Sequence, residues 1–303
     1  MSRRRIIFPG KIMCTSRRTT RRYFLFVPDA QGKTEAIFWY CLAVTANKHG
    51  ILVHAAQLMT NHVHLVFTDV HGVAPNFFRD FHRLLAECIK VHLGWPEEVF
   101  NKAKTSEHEP VTVGAIIDRL AYAIANPPLA GLVRRAAEWP GAHTTAHDMG
   151  RRMIRARRPD VFFTDPSWPE EEELEISLPP ALIAEMEPDE IRRRVAERVR
   201  HYEREALAKS KNKGLSFLGA RRAQRVRHTD RASSWEDFGA RNRRFSAAGD
   251  AEAARGAAER NGKFDADYDE ALAAWQAGDR DVEFPYGTWW MRVHHNVRVR
   301  PPP

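Results

Sequence analysis

Two histidines stand one residue apart inside an apolar run, in the stretch LMTNHVHLVFTD at residues 58 to 69. In an extended strand, side chains at i and i+2 leave the same face, so His62 and His64 emerge together while Val63, Leu65 and Phe67 face the other way. Two imidazoles side by side can ligate one divalent metal ion, or they can stand as a half-exposed pair with no ligand. A second reactive group would decide between these readings. Further on, Val113, Ile116, Ile117, Leu120 and Ile124 recur at helical spacing. At about 100° per residue Tyr122 falls nearly opposite that stripe, and Asn126 lies one turn later beside it. Tyr122 is therefore not consumed as core; by itself it reads as a surface tyrosine or as a phenol free to react.

The elements that must position these groups follow from the pattern around them. Residues 11–18 and 22–27 read as two short strands separated by Thr19-Thr20-Arg21. A helix is predicted from Thr34 to His49, ended by Gly50, and a strand over 51–58. The link Met59-Thr60-Asn61 leads into a strand over 62–67, so the two should pair antiparallel. A strongly amphipathic helix carries Phe77, Phe78, Phe81, Leu84, Leu85, Cys88 and Ile89 and closes at Gly94; His82 and His92 read as packing residues beside it. One more strand is expected within 99–110, and then the Tyr122 helix, stopped by Asn126-Pro127-Pro128. The sum is an α+β fold, an antiparallel sheet with packed helices, ending near residue 145.

Beyond it the composition shifts. A basic RRMIRARRPD and an acidic WPEEEELEISLPP make residues 146–187 read as linker or irregular wrapping. Residues 188–303 read as a mainly helical, basic C-terminal region. In its first helix, to Lys213, Ile191, Val195, Val199, Tyr202 and Ala206 share one side, with Arg192, Arg193, Arg198, Arg200 and Arg204 largely off it. Helical stretches near 249–260 and 264–277 precede an aromatic segment, FPYGTWWMRVHHNVRV.

Charge and composition narrow the partners. With 303 residues, 43% hydrophobic, the chain can bury a sizeable core in about two domains. Its net charge of +8 favours polyanions, nucleic acid first among them. Arg3, Arg4, Arg5, Lys11, Arg17, Arg18, Arg21 and Arg22 lie in the first 22 residues with no acid between them, as a binding arm or as a solvated basic tail. No window has the apolar length of a signal peptide or membrane span, so the expectation is a cytoplasmic protein with no membrane partner. Cys14, Cys41 and Cys88, odd in number and set among apolar residues, read as reduced core thiols.

The wording of both motifs adds a resemblance. MTNHVHLVF at 59–67 and YAIANPPLAGLV at 122–133 closely resemble the segments MPNHxHLL and YIxxNPVxAGLV of the REP-associated tyrosine transposases, single-tyrosine members of the HUH endonuclease superfamily. Thr60 replaces the family's proline, the isoleucine of the second motif is displaced with Ala123 in its place, and Leu129 stands where a basic residue is common. The likeness covers about residues 11–145 well and the remainder loosely. It implies the ferredoxin-like or RRM-like sheet of an HUH nuclease. It also implies Mg²⁺ or Mn²⁺ bound by His62, His64 and Asn126, with Tyr122 as nucleophile, on single-stranded or hairpin DNA. Cleavage through a 5′-phosphotyrosine stores the bond energy for rejoining, so no nucleotide loop is required, and no Walker-type glycine loop is present.

Candidate DNA contacts are Arg17, Arg18, Arg21 and Arg22 near the first strands, and Arg192, Arg193, Arg200 and Arg204 on the later helix; solvation alone is the competing role for the helix set. Making a phenolate at neutral pH costs roughly 4 kcal/mol, and the sequence names no base for it; Asp118, one turn before Tyr122, is either that base or a solvated helix residue, and His54 reads as a plain strand residue. Two other functions remain open: a non-catalytic or domesticated nucleic-acid-binding protein with the same fold, and a metal hydrolase using water. Whether the chain acts as a monomer or a homodimer is likewise open.

Overall fold

The computed structural model describes residues 4–101, 105–233 and 244–302, so Arg3 of the basic N-terminal run lies outside the described residues. Strand β1 (Lys11–Arg18) is followed by helix α1 (Lys33–His49), the hairpin β2 (Ile51–Met59) and β3 (His62–Asp69), helix α2 (Ala74–Leu93) and strand β4 (Ser106–Pro110). Helix α3 (Val113–Ile124) and the single turn α4 (Asn126–Leu129) come next. Beyond them lie β5 (Met153–Arg157), β6 (Glu171–Glu175), α5 (Pro180–Ile183), α6 (Pro188–Asn212) and α7 (Ala220–Ala223). The last elements are β7 (Phe245–Ser246), α8 (Ala251–Gln276), β8 (Glu283–Phe284), α9 (Trp290–His295) and β9 (Arg298–Val299).

The main sheet runs β2-β3-β1-β4-β7, antiparallel except for the parallel β4–β7 pair. This is a mixed α+β fold with a mainly antiparallel sheet and helices packed on it. The period-two alternation of β3 decides which helix meets which face. Phe67 packs edge-on against Phe77 and Phe78 of α2, whereas His64, on the other face, meets Tyr122 of α3. The sheet thus has α2 on the side of Val63, Leu65 and Phe67 and α3 on its histidine side. Thr112 caps α3 by accepting the Ala115 amide, and Asn126-Pro127-Pro128 ends it, because Pro lacks the amide that would continue the ladder.

Three local expectations change. Residues 22–27 form no strand: Thr20–Arg22 is a 3₁₀ turn with Arg21 and Arg22 at φ 46° and 62°. That reversal points the following backbone away from the sheet; the Phe24 and Phe26 amides bond instead to the Asp230 and Thr60 carbonyls while Leu25 and Phe26 stay buried. The two C-terminal helical stretches are one helix, α8, whose buried Ala257, Phe264 and Ala271 recur every seventh residue straight across Gly262. Residues 146–187 carry the β5–β6 hairpin, with Arg155–Glu173 and Arg157–Glu171 paired outside and Ile154, Ala156 and Leu174 buried in the same core as β1–β3.

Cys14, Cys41 and Cys88 are free and buried. No helix among the described residues is long and apolar enough to cross a membrane.

Candidate functional site

Strand β3 presents His62 and His64 with ring centroids 4.8 Å apart, and the His64 ring lies 5.9 Å from that of Tyr122. Asn126, buried at the start of α4, brings its Oδ1 to 3.2 Å from His62 Nε2. The four residues named from the two motifs, 60 positions apart in the chain, therefore converge on the α3 face of the sheet.

Each ring is held from behind. The Asn61 amide donates to the Arg22 carbonyl, which turns Oδ1 toward His62, so Nδ1 of His62 donates to that oxygen at 2.7 Å. In this tautomer Nε2 presents a lone pair to the Asn126 oxygen, and two acceptors face each other. The His64 ring is hydrogen-bonded to the Thr15 backbone. Burial, reinforced by the Arg18 charge, pushes His62 down to about 4; burial, then His62 and Arg18, holds His64 well below the ordinary histidine range. Both imidazoles are therefore neutral near pH 7, the form that ligates metals.

Among the described residues no three His, Cys, Asp or Glu side chains gather as a metal-binding group. An ion at this place would be held by two imidazoles and amide oxygen. The donor set fits: two ligands at right angles, each about 2.1 Å from Mg²⁺, lie about 3.0 Å apart, close to the 3.2 Å between His62 and Asn126. Gln57 gives a second indication. Directly across from His64 in the β2–β3 register, it is 1% exposed, and among the described residues neither its amide oxygen nor its amide nitrogen has a partner. A buried amide left unpaired costs about 1–3 kcal/mol, which a bound ion or its water would offset. A lone glutamine in the apolar ILVHAAQLM was the signal in the sequence, the same kind of anomaly as the histidine pair.

Tyr122 is 36% exposed, and among the described residues its hydroxyl has no hydrogen-bond partner. The Arg119 guanidinium lies 5.2 Å from its ring centroid, and the Tyr202 ring of α6 lies at 6.0 Å. Asp118 does not stand ready as a base. Burial would raise its carboxyl, but the Tyr202 hydroxyl at 2.7 Å, with Arg198 and Arg119, outweighs burial and holds it below the usual carboxylate range. The same contact, with burial as the larger cause, pushes Tyr202 up to about 12, so the second tyrosine of the site has its proton held firmly. This network joins residues 80 positions apart and left no mark in local periodicity. His54 is a strand residue, buried at the β2 bulge and bonded to Thr68 and Ser177.

The arginines divide. Arg18 sits opposite His62 in the β1–β3 register. Arg17 points to the other face of the sheet, where it donates to the Asn101 carbonyl and stacks on Phe100, so it is not brought to the histidines. Arg192 and Arg193 are occupied by Asp189, and by Glu190 and Glu197. Arg200 and Arg204 border a groove with Arg134 and Arg135. In the N-terminal run, Arg4 pairs with Asp269 and Arg5 with Glu107.

No family model matches this chain, and no curated protein does. Among solved structures, a REP-associated tyrosine transposase bound to a REP hairpin is similar at 16% identity and TM-score 0.41, over 50% of this chain and 86% of that one. A candidate transposase from Deinococcus radiodurans R1 is similar at 18% identity and TM-score 0.28, over 35% of this chain and 84% of that one.

Proposed function

We propose that the chain is a metal-dependent single-strand DNA endonuclease and strand transferase of the transposase kind, acting at or near hairpin-forming palindromes. The observation that carries this reading is the meeting of Tyr122 with His62, His64 and Asn126 on one face of the sheet. The order β1-α1-β2-β3-α2-β4, with sheet order β2-β3-β1-β4, is the order expected of a split βαβ, ferredoxin-like sheet and supports the same reading.

In this mechanism Tyr122 is the nucleophile. Its oxygen bonds to phosphorus, the P–O3′ bond breaks, the phenol proton is given up and the departing O3′ gains one, leaving a 5′-phosphotyrosine and a free 3′-hydroxyl. Attack by another 3′-hydroxyl reverses the step and releases Tyr122. Mg²⁺ or Mn²⁺, when bound, would supply Lewis-acid polarisation of the phosphate oxygens. His62, His64 and Asn126 would hold that ion, Asn61 and Thr15 fix the two rings, and Arg119 places positive charge beside the nucleophile. Of the first-strand arginines, Arg18, opposite His62 in the register, is the one that would meet the DNA backbone.

The test is to incubate the full chain with a hairpin-bearing single-stranded oligonucleotide and Mn²⁺ or Mg²⁺, denature, digest, and locate the nucleotide-bearing peptide by mass spectrometry. The expected product is a nucleotide on the peptide containing Tyr122, lost with a chelator. An adduct on another residue, or cleavage with no adduct, rejects the mechanism. Tyr202→Phe is a companion prediction. It keeps the ring and removes a hydrogen bond to a carboxylate, so stability falls by about 1–2 kcal/mol in chemical denaturation, while adduct yield stays within about threefold.

A further inference from the structure

Of the arginines on α6, those near its start are matched by acids on the same helix, but Arg200 and Arg204 are not. With Arg134 and Arg135 they line an open groove that also contains Glu203 and Leu207. All four guanidiniums are exposed, and among the described residues none has a carboxylate within ion-pair distance. The acids that could neutralise them are used elsewhere. The Glu203 carboxylate accepts the Ala136 amide at 2.8 Å, and Glu138 accepts the Arg134 and Arg135 amides at 3.2 and 3.3 Å. Those bonds fix the backbone that carries the first two arginines, and four arginines against the one carboxylate of Glu203 leave the groove net positive. In a chain where most α6 arginines are paired, four unpaired cations on one concave surface are an anion-binding feature.

Position supplies the rest. Arg200 and Arg204 each lie two residues from Tyr202, which at 100° per residue turns them to the flank of α6 away from Tyr122. The groove thus lies across α6 from the reactive phenol, more than one helix width, about 10 Å, away. That is too far to hold the scissile phosphate and close enough to hold its neighbours. We infer that this groove binds the phosphodiester backbone of the substrate DNA beside the cleavage position, with the α6 extension serving as a second wall of the DNA path. The inference rests on the reading of the chain as a DNA-processing enzyme.

The experiment measures equilibrium binding by fluorescence anisotropy over a salt series. It compares wild type, the fourfold variant R134Q/R135Q/R200Q/R204Q and the fourfold Lys variant. Three probes are used: a hairpin with single-stranded flanks, the closed stem alone, and a single strand alone. Each phosphate contact contributes about 0.7 to the log–log salt slope on single strands and about 0.9 on duplex. The Gln variant should therefore flatten the slope by about two to three units on the flanked hairpin, with the Lys variant near wild type. Flattening on the stem assigns the groove to paired DNA, and flattening on the strand assigns it to unpaired DNA. A slope unchanged on all three probes overturns the inference, and so does equal loss in the Lys variant. If the fourfold Gln variant fails to fold, R200Q/R204Q is read the same way with half the change. Wild-type adduct formation is scored in parallel. An adduct with an unaltered slope removes the groove alone, whereas a flattened slope with no wild-type adduct removes the cleavage mechanism alone.

Discussion

Replacing Tyr122 by phenylalanine is expected to abolish the denaturation-resistant adduct and to lower strand cleavage by at least about 10³-fold, with DNA affinity and folding unchanged. The substitution removes one oxygen that bonds to nothing else among the described residues, on a ring already 36% exposed. Packing against His64, Arg119 and Tyr202 depends on the ring and survives. Stability should therefore move by no more than about 0.5 kcal/mol, which separates lost chemistry from lost structure. The measurement is single-turnover cleavage of a labelled hairpin oligonucleotide, with thermal unfolding in parallel. A Phe variant that still cleaves would mean that water is the attacking group, and the chain would then be a metal hydrolase with Tyr122 idle. A wild type that binds hairpins and never cuts would make it a binding protein built on the same sheet.

What was legible in the sequence was whatever depends on local period. The two-residue repeat of β3 puts His62 and His64 on one face whatever the sheet does around them, and the 3.6-residue repeat of α3 turns Tyr122 off the apolar stripe. Gly50 and Gly94, both left-handed at helix ends, were readable for the same reason. What was not legible depends on partners distant in the chain. Residues 22–27 have the composition of a strand, but Arg21 and Arg22 turn left-handed and the segment finds carbonyls in loops instead of a neighbour. The alternation of Met153–Arg157 was present in the letters, yet its charges suggested linker, because only the opposing glutamates of β6 make that outer face favourable. Residues 249–260 and 264–277 read as two helical stretches, but a glycine between them costs only about 1 kcal/mol, small against a buried stripe that continues on both sides. Asp118 could not be assigned from its own helix, since the groups that occupy it come from α6.

Acid should unfold this protein well before its carboxylates are protonated. His54 is fully buried at the β2 bulge, with Nδ1 on the Ser177 carbonyl at 3.1 Å and Nε2 on the Thr68 hydroxyl at 2.8 Å. That pair of partners suits a neutral ring, which donates at one nitrogen and accepts at the other. Burial pushes its pKa down to about 4, against a small opposing effect of Ser177. Burial does the same to His82, wedged among Phe78, Phe81 and Phe100 and faced by Arg17 and Arg5, which goes to about 3. The sign follows from proton counting. Between about pH 6.5 and 4 the unfolded chain binds protons at these positions and the folded chain does not, so stability rises with pH across that window. It is fully present above about 6.5 and is lost as pH falls toward 4. For His54 alone the loss by pH 4 is on the order of 3 kcal/mol, a large part of the 5–15 kcal/mol that holds an ordinary domain. The carboxylates act lower. Asp80, though burial raises it, is held below its usual range by Arg79, Lys48 and His49, and its stabilisation fades only as pH drops below about 4. Urea unfolding at half-unit steps from pH 7.5 to 4 should therefore show a steep fall in free energy beginning near 6.5, and His54→Gln should flatten that fall by about one proton. Stability that stays level down to pH 4.5 would mean that His54 and His82 reach water in the folded chain, and that the interior described for β2 and α2 is too tightly closed.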